Sequence, residues 1–100
     1  MGFLERYIES IQKLCEAYQV KALYSFGSVN SDQFNADSDI DFLVDLDATD
    51  PLIYTDNYFN LKFNLEKILD RSIDLLEDKS LKNPYLRNKI DETKALIYGA

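Results

Sequence analysis

Residues 27–41 read GSVNSDQFNADSDID, and this polar stretch between two apolar segments decides the fold. It begins where a short apolar run ends, and Gly27 at that point lets the backbone turn sharply and approach a ligand closely. Ser28 follows with a hydroxyl and an amide, and both are able to donate to a phosphate oxygen. The stretch closes on Asp39 and Asp41, which are two residues apart, so their carboxylates share one face of a strand.

The segments around this stretch predict three strands. Residues 20–26 are apolar and aromatic and stop at the glycine, which is typical of a strand that ends in a turn. Residues 39–46 alternate, with one face apolar and the other bearing the acids. Residues 71–76 predict a third short strand, in which Asp74 lies between two apolar neighbours. Because an unpaired buried carboxylate is costly, we expect Asp74 to join the first two acids on an adjacent strand.

Three carboxylates on neighbouring strands predict a site for a hard divalent cation. Like charges packed together disfavour ionisation, and a cation relieves that repulsion. Oxygen ligands favour Mg²⁺, which keeps waters and completes its shell with substrate phosphates. One or two Mg²⁺ ions held by Asp39, Asp41 and Asp74 would lower the pKa of an attacking hydroxyl and stabilise a triphosphate with its leaving pyrophosphate.

The other segments predict helices and one loop. Residues 3–18 have apolar side chains spaced three and four apart, which is typical of a helix with one buried stripe. Residues 29–38 are rich in Asn, Asp and Ser and predict a loop. Residues 58–70 return to helical spacing, and this helix starts at Tyr58 or as early as Leu52.

A last helix is predicted near the end of the chain. Asn83 is its cap and Pro84 its first residue, and the helix runs to about Tyr98 with Leu86, Ile90 and Ile97 facing inward. The order is then helix, strand, strand, helix, strand, helix. We expect an α/β (α+β) fold, a small mixed sheet with helices packed on one side, in which a helix connects the second strand to a parallel third.

The composition restricts the classes of function. A length of 100 residues predicts a single domain over 1–100. The formal net charge of −7 argues against direct nucleic-acid binding, but not against a nucleotide held with a cation. The absence of histidine excludes a Ser-His-Asp triad and most zinc sites. One cysteine, Cys15, and the lack of a signal peptide or membrane-spanning run predict a cytoplasmic protein without membrane contact.

The motif of Gly27-Ser28, ten residues and then Asp39-x-Asp41 resembles the signature of the polymerase-beta-like nucleotidyltransferase superfamily. The blocks 38–42 and 73–75, SDIDF and IDL, are similar to those of its minimal (MNT) branch, and the resemblance covers nearly the whole chain. It implies that Gly27 and Ser28 contact the nucleotide phosphates. It also implies that Asp39 and Asp41 bind metal, with Asp74 as the third acid that helps activate the acceptor hydroxyl in active members.

The resemblance further implies a partner and a reaction. Minimal domains of this branch commonly pair with a helical HEPN protein, an RNase toxin, and some transfer AMP from ATP to a tyrosine of that toxin. We therefore expect Mg²⁺-dependent transfer of AMP to a hydroxyl of a protein partner, and an oligomer is a further expectation. Two alternatives stay open: an antitoxin that neutralises the toxin by occlusion with weak or absent catalysis, and transfer to a small molecule or RNA with the help of an added subunit.

One departure from the superfamily pattern concerns charge. Many relatives have a basic residue directly after the Gly-Ser and a glycine three positions beyond it, where this chain has Val29 and Asp32. The Gly-Ser loop then lacks a cation that would neutralise a triphosphate. Candidates to supply it are a residue of a partner or three basic residues of the chain, Lys62, Lys67 and Arg71.

Overall fold

The structure is a computed structural model that describes residues 3–31, 34–35 and 37–99. Its helices are α1 (Ile8–Ala17), α2 (Pro51–Leu69) and α3 (Pro84–Thr93). Its strands are β1 (Val20–Phe26), β2 (Ile40–Leu46), β3 (Ile73–Glu77) and β4 (Ala95–Gly99). Short 3₁₀ turns occupy Phe3–Tyr7, Gly27–Asn30 and Asp78–Ser80.

The four strands form one sheet in the order β3-β2-β1-β4. Strand β1 pairs antiparallel with both β2 and β4, whereas β2 and β3 run parallel and are connected through α2. The predicted parallel crossover is therefore confirmed. The end of β1 and the starts of β2 and β3 meet at one edge of the sheet, and this edge contains the acidic residues.

Helices α1 and α2 pack against one face of the sheet and enclose the core. The apolar face of β2 points toward these helices, and α1 and α2 contribute aliphatic side chains and one thiol. The residues that these three elements contribute to this core are Ile40, Phe42, Val44, Leu46, Ile11, Cys15, Leu61, Leu65 and Leu69. Tyr58 Oη donates a hydrogen bond of 2.6 Å to the carbonyl oxygen of Leu75 and fixes α2 to β3. The predicted fold class, a small mixed sheet with helices packed against it, is confirmed.

The starts of α2 and α3 follow one capping rule. Asn83 Oδ1 accepts hydrogen bonds from two backbone amides of the first turn of α3, and Pro84 follows it, as predicted. Asp50 Oδ1 accepts from the Leu52 amide at 2.8 Å and is followed by Pro51. Helix α2 therefore begins at Pro51, seven residues before Tyr58 and close to the earlier of the two predicted starts.

The prediction that the last helix runs to about Tyr98 is wrong. Helix α3 ends at Thr93, and the backbone is extended at Lys94, where ψ is 146°. Ile97 is buried as predicted but belongs to β4, because β1 offers an open edge of backbone donors and acceptors that this apolar segment pairs with. Leu86 does not face inward, since 41% of its surface is exposed. The spacing from Ile90 to Ile97 fits a helix, and only the sheet edge decides against it.

Helix α2 also has an apolar outer surface, where Leu52, Phe59 and Phe63 are exposed. Because α2 has apolar residues on both its buried and its exposed sides, they do not form a single stripe along the helix. Among the helices of the described residues, none combines the length and the apolar character that crossing a membrane requires.

Cys15 lies on the buried side of α1 and has no exposed surface. Burial, with a smaller contribution from the neighbouring Glu16 carboxylate, raises the pKa of the Cys15 thiol to about 12. The thiol is therefore protonated at neutral pH and behaves as a small apolar side chain.

Candidate active site

The Gly27 bend forms one wall of the candidate site. Phe26 ends β1 in an extended conformation, and Gly27 then turns the chain with a φ of 75°, a region that favours glycine. A Cβ atom at Gly27 would lie 2.7 Å from Asp41 Oδ2, closer than ordinary contact allows. The missing side chain therefore leaves room for the Asp41 carboxylate directly beneath the bend.

Asn30 fastens this bend to two other parts of the chain. Its Nδ2 donates to the carbonyl oxygens of Ser25, at 2.9 Å, and Thr93, at 3.1 Å. Ser25 Oγ in turn donates to Asn30 Oδ1 at 3.1 Å, and Ser25 is itself almost fully buried. The bend of residues 27–30 is thus held against the end of α3.

The sheet places two of the predicted acids side by side. Asp41 on β2 and Asp74 on β3 are direct partners in the parallel register, so their side chains leave the same face. Asp39 lies immediately before β2 and is exposed, as is Asp74, whereas Asp41 is half-buried. The structure therefore groups Asp41 with Asp74 and with Gly27, and Asp39 lies at the margin of the group.

The electrostatics of Asp41 match this arrangement. Burial, followed by the charges of Asp74 and then Asp39, raises the pKa of the Asp41 carboxyl above its ordinary value. Each of these causes disfavours the ionised form, and a bound cation would reverse their combined effect.

The three aspartates, of which Asp74 and Asp39 disfavour the charge of Asp41, fit a Mg²⁺ ion chemically, because all the donors are hard oxygens. Their side chains are not already closed around a common point: among the described residues, no group of three His, Cys, Asp or Glu side chains is arranged to hold a metal ion. Asp41 and Asp74 would hold the ion as neighbours in the sheet. Asp39 would have to turn toward them.

The segment before Asp39 is organised by Arg71, which lies between α2 and β3. Its Nη1 donates to the carbonyl oxygens of Asn35, at 2.7 Å, and Ser38, at 3.1 Å. The guanidinium carbon lies 4.8 Å from the ring centroid of Phe3 and 4.4 Å from that of Phe34. An open depression of about 440 Å³ beside Asp39 is lined partly by this arginine. Arg71 is therefore engaged in holding the loop and is a poor source of free charge for a triphosphate.

Replacing Arg71 by methionine should destabilise the fold by about 2 kcal/mol, since charged hydrogen bonds and two ring contacts are lost together. Urea unfolding measures this change. Arg6→Met is the matched control, because Arg6 is exposed and its guanidinium carbon lies 5.8 Å from the Tyr7 ring centroid. Equal destabilisation by the two substitutions would show that the loop does not depend on Arg71.

The other two basic side chains that were candidates to neutralise a triphosphate lie away from the acids. Lys62 and Lys67 are on α2, which packs against the face of the sheet opposite Asp41. Val29 is only 5% exposed and packs into the core, so the bend itself presents no charged side chain at that position. Ser28 is half-buried in the bend. Asp32 lies outside the described residues.

Comparison with known proteins tests the predicted family. The family profile "Polymerase beta, Nucleotidyltransferase" matches residues 9–100. The chain belongs to the polymerase-beta nucleotidyltransferase family. The resemblance seen in the sequence is thereby confirmed.

Relatives of this nucleotidyltransferase occur in Methanocaldococcus jannaschii. The chain is 38% identical to "Putative protein adenylyltransferase MJ1379" over 85 residues, which cover 85% of this chain and 82% of the relative. It is 35% identical to "Putative protein adenylyltransferase MJ0128" over the same length and with the same coverage of both chains.

Solved structures share the nucleotidyltransferase fold. One described as "Structure of putative minimal nucleotidyltransferase" has a TM-score of 0.75 and 27% identity, with coverage of 92% of this chain and 90% of that one. Another is the tri-AMPylated Shewanella oneidensis HEPN toxin in complex with MNT antitoxin, with a TM-score of 0.68, 22% identity and coverage of 98% and 74%. At this identity the second likeness shows the fold alone.

Sequence reasoning missed one residue that shapes the site of this nucleotidyltransferase. Asn30 falls in the predicted polar loop 29–38, and nothing in the composition of that loop indicates the reciprocal bonds with Ser25 or the contact with Thr93. The sequence contains only a weak signal for it: a buried serine near the end of a strand needs a partner, and an asparagine five residues later is a candidate.

Proposed function

We propose that residues 1–100 act as a single minimal nucleotidyltransferase domain that transfers AMP from ATP to a hydroxyl of a protein partner in a Mg²⁺-dependent reaction. The observation that supports this most directly is the pairing of Asp41 with Asp74 beneath the Gly27 bend. A site with two adjacent carboxylates and a close backbone bend has the parts that phosphoryl transfer uses.

Each residue of the site has a role in the proposed reaction. The amides of Gly27 and Ser28 and the Ser28 hydroxyl donate to phosphate oxygens. Asp41 and Asp74 would hold the Mg²⁺ together with Asp39 once its side chain turns toward them. When bound there, the ion would supply charge neutralisation for the triphosphate and a lower pKa for the acceptor hydroxyl.

The transfer needs no reactant other than ATP and the acceptor hydroxyl. The acceptor oxygen forms a bond to the α-phosphorus of ATP, the bond from that phosphorus to the bridging oxygen breaks, and pyrophosphate leaves. Asp74 is exposed and lies where an incoming hydroxyl can reach it, so its carboxylate is the base that accepts the hydroxyl proton.

The proposed partner is a HEPN protein encoded beside this chain. Two findings support it: relatives are named as protein adenylyltransferases, and a structure with the same fold is a complex of an AMPylated HEPN toxin with its MNT antitoxin. The acidic charge of −7 favours docking on a basic surface of such a partner.

Incubation with ATP, Mg²⁺ and that HEPN protein tests the proposal. ATP labelled at the α-phosphate should label the partner, whereas ATP labelled at the γ-phosphate should not, because the γ-phosphate leaves with pyrophosphate. Chelation of Mg²⁺ should stop the labelling. If the two proteins form a complex and no α-label is transferred, the proposed reaction is wrong.

A second candidate function is neutralisation of the toxin by occlusion, and the buried Val29 favours it. An apolar side chain packed into the core leaves this part of the bend without a positive charge for a triphosphate. Under this alternative, a variant with both Asp39→Ala and Asp41→Ala still neutralises the toxin in a growth assay. Loss of neutralisation by a variant that still binds the toxin would exclude occlusion.

A further inference from the structure

A triphosphate in the proposed site meets a shortage of positive charge. It would lie beside three aspartates, and Gly27 and Ser28 offer only neutral donors. Val29 is buried, and the Arg71 guanidinium is bonded to the loop before Asp39. A fixed cation near the bend would therefore strengthen nucleotide binding.

Lys94 is attached to the bend through its neighbour. Asn30, in the same 3₁₀ turn as Gly27 and Ser28, donates from Nδ2 to the carbonyl oxygen of Thr93 at 3.1 Å. The amide of Lys94 bonds to the carbonyl oxygen of Ile90 at 2.8 Å and closes α3. Thus the backbone of Lys94 is fixed beside the bend by two hydrogen bonds that do not involve its side chain.

The side chain of Lys94 lies on the face of the sheet that bears the acids. Its Nζ is 4.6 Å from the ring centroid of Tyr24. Tyr24 is paired with Leu43 in the β1–β2 register, and Leu43 is two residues from Asp41 on the same face. The positive charge of Lys94 therefore lies over β1, the strand next to the one that contains Asp41, and on the same face of the sheet as the Asp41 carboxylate.

The ion pair of Lys94 is of a kind that a ligand displaces readily. Nζ lies 2.8 Å from Asp91 Oδ1, and the two side chains are 29% and 44% exposed. Exposed pairs of this kind contribute little to stability, so exchange of the Asp91 carboxylate for a phosphate oxygen has a small free-energy cost. The Tyr24 ring keeps the lysine stem in place during that exchange.

We propose that Lys94 is a binding residue for the triphosphate of the nucleotide, with the Tyr24 ring positioning it and the Asp91 carboxylate giving way to the phosphate. The proposal rests on the proposed function, since it assumes that a nucleoside triphosphate occupies the site beneath Gly27. It assigns no covalent step to the lysine. The competing interpretation is that Lys94 only holds the end of α3 against the sheet.

Binding measurements on Lys94→Met separate the two interpretations. Calorimetry with ATP and Mg²⁺ should show binding about tenfold weaker than in the unchanged protein, the effect of one lost charged contact. Binding of adenosine, which has no phosphate, should not change. Lys94→Arg keeps the charge and should retain most of the ATP affinity.

Lys79→Met is the matched control. Lys79 also rests on an aromatic ring, with Nζ 3.7 Å from the centroid of Tyr54, but it lies beyond the end of β3 that is remote from Asp74. Its loss should leave the affinity for ATP unchanged. The slope of ATP affinity against salt concentration should fall in Lys94→Met and not in Lys79→Met.

The outcomes distinguish this proposal from the proposed function. Unchanged ATP affinity in Lys94→Met, or equal losses for ATP and adenosine, overturns the role of Lys94 and leaves the transfer reaction standing. A selective loss for ATP in a protein that never transfers AMP to its partner supports Lys94 and overturns the reaction. Failure of the unchanged protein to bind ATP with Mg²⁺ overturns both.

Discussion

Replacing Asp41 by asparagine should abolish nucleotidyl transfer, with kcat/KM falling by about a thousandfold or more. Asp41 is the acid that the structure places between Asp74 and the Gly27 bend, and an amide cannot supply its negative charge to a metal ion. The rate of α-label transfer from ATP to the partner at saturating Mg²⁺ measures the loss.

The same substitution should raise the melting temperature at pH 7 by a few degrees. Burial and two neighbouring carboxylates raise the pKa of Asp41 in the folded protein, so the folded state binds a proton more tightly than the unfolded chain does. As the pH rises through the ordinary aspartate range to this raised pKa, ionisation of Asp41 lowers the free energy of unfolding. Above the raised pKa that loss is fully present, and asparagine removes it. Below the ordinary aspartate pKa the difference between the two proteins should vanish.

Mg²⁺ provides a second readout for Asp41. Adding the ion should raise the melting temperature of the unchanged protein, because it binds the folded state, and should have little effect on Asp41→Asn. Asp45→Asn is the control, since Asp45 leaves the same face of β2 further along the strand. A melting temperature that falls in Asp41→Asn would contradict the proposed repulsion among the acids.

Replacing Gly27 by alanine should destabilise the fold and also remove most of the transfer activity. An alanine at a φ of 75° costs about 1–2 kcal/mol. In addition, its Cβ would lie 2.7 Å from Asp41 Oδ2 and would push that carboxylate out of position. Thermal unfolding should therefore show a fall of roughly 4–8 °C for each kcal/mol, and the transfer rate measured well below that transition should still be low.

Gly99→Ala is the control that separates backbone strain from displacement of the Asp41 carboxylate. Gly99 has a φ of 100°, and a Cβ there would lie 2.2 Å from the carbonyl oxygen of Lys21, at the opposite end of β1 from Gly27. This variant should also lose stability, yet at a temperature where it is folded its transfer rate should be near that of the unchanged protein. Equal losses of activity in both variants would mean that Gly27 has no special relation to Asp41.

The parts of the fold that the sequence predicts well are those fixed by local rules. The alternation in residues 39–46 fixes the buried face of β2, and the length of the connection after it fixes the parallel pairing with β3. Asn83 with Pro84 is a strong start signal, and the helix begins there. The predicted nearness of Asp41 and Asp74 follows from these rules alone.

The parts that the sequence does not predict depend on contacts between distant segments. Strand β4 exists because β1 has an open edge, and residues 95–99 contain no local signal that excludes a helix. The role of Arg71 is equally hidden, because its partners Asn35 and Ser38 precede it by more than thirty residues. Likewise, the attachment of the bend to Thr93 joins residues 63 positions apart.

The fully buried thiol of Cys15 can report on opening of the core. A reagent that modifies sulfhydryl groups reaches this thiol only when α1 separates from the sheet. The rate of modification therefore depends on exposure of the whole interior and is insensitive to motion at the surface. Because α1 packs on the face opposite the aspartates, a ligand beneath Gly27 leaves the sulfur untouched. If nucleotide slows the modification of Cys15, the slower rate would then report that the entire domain opens less often, and no engineered cysteine is needed for the measurement.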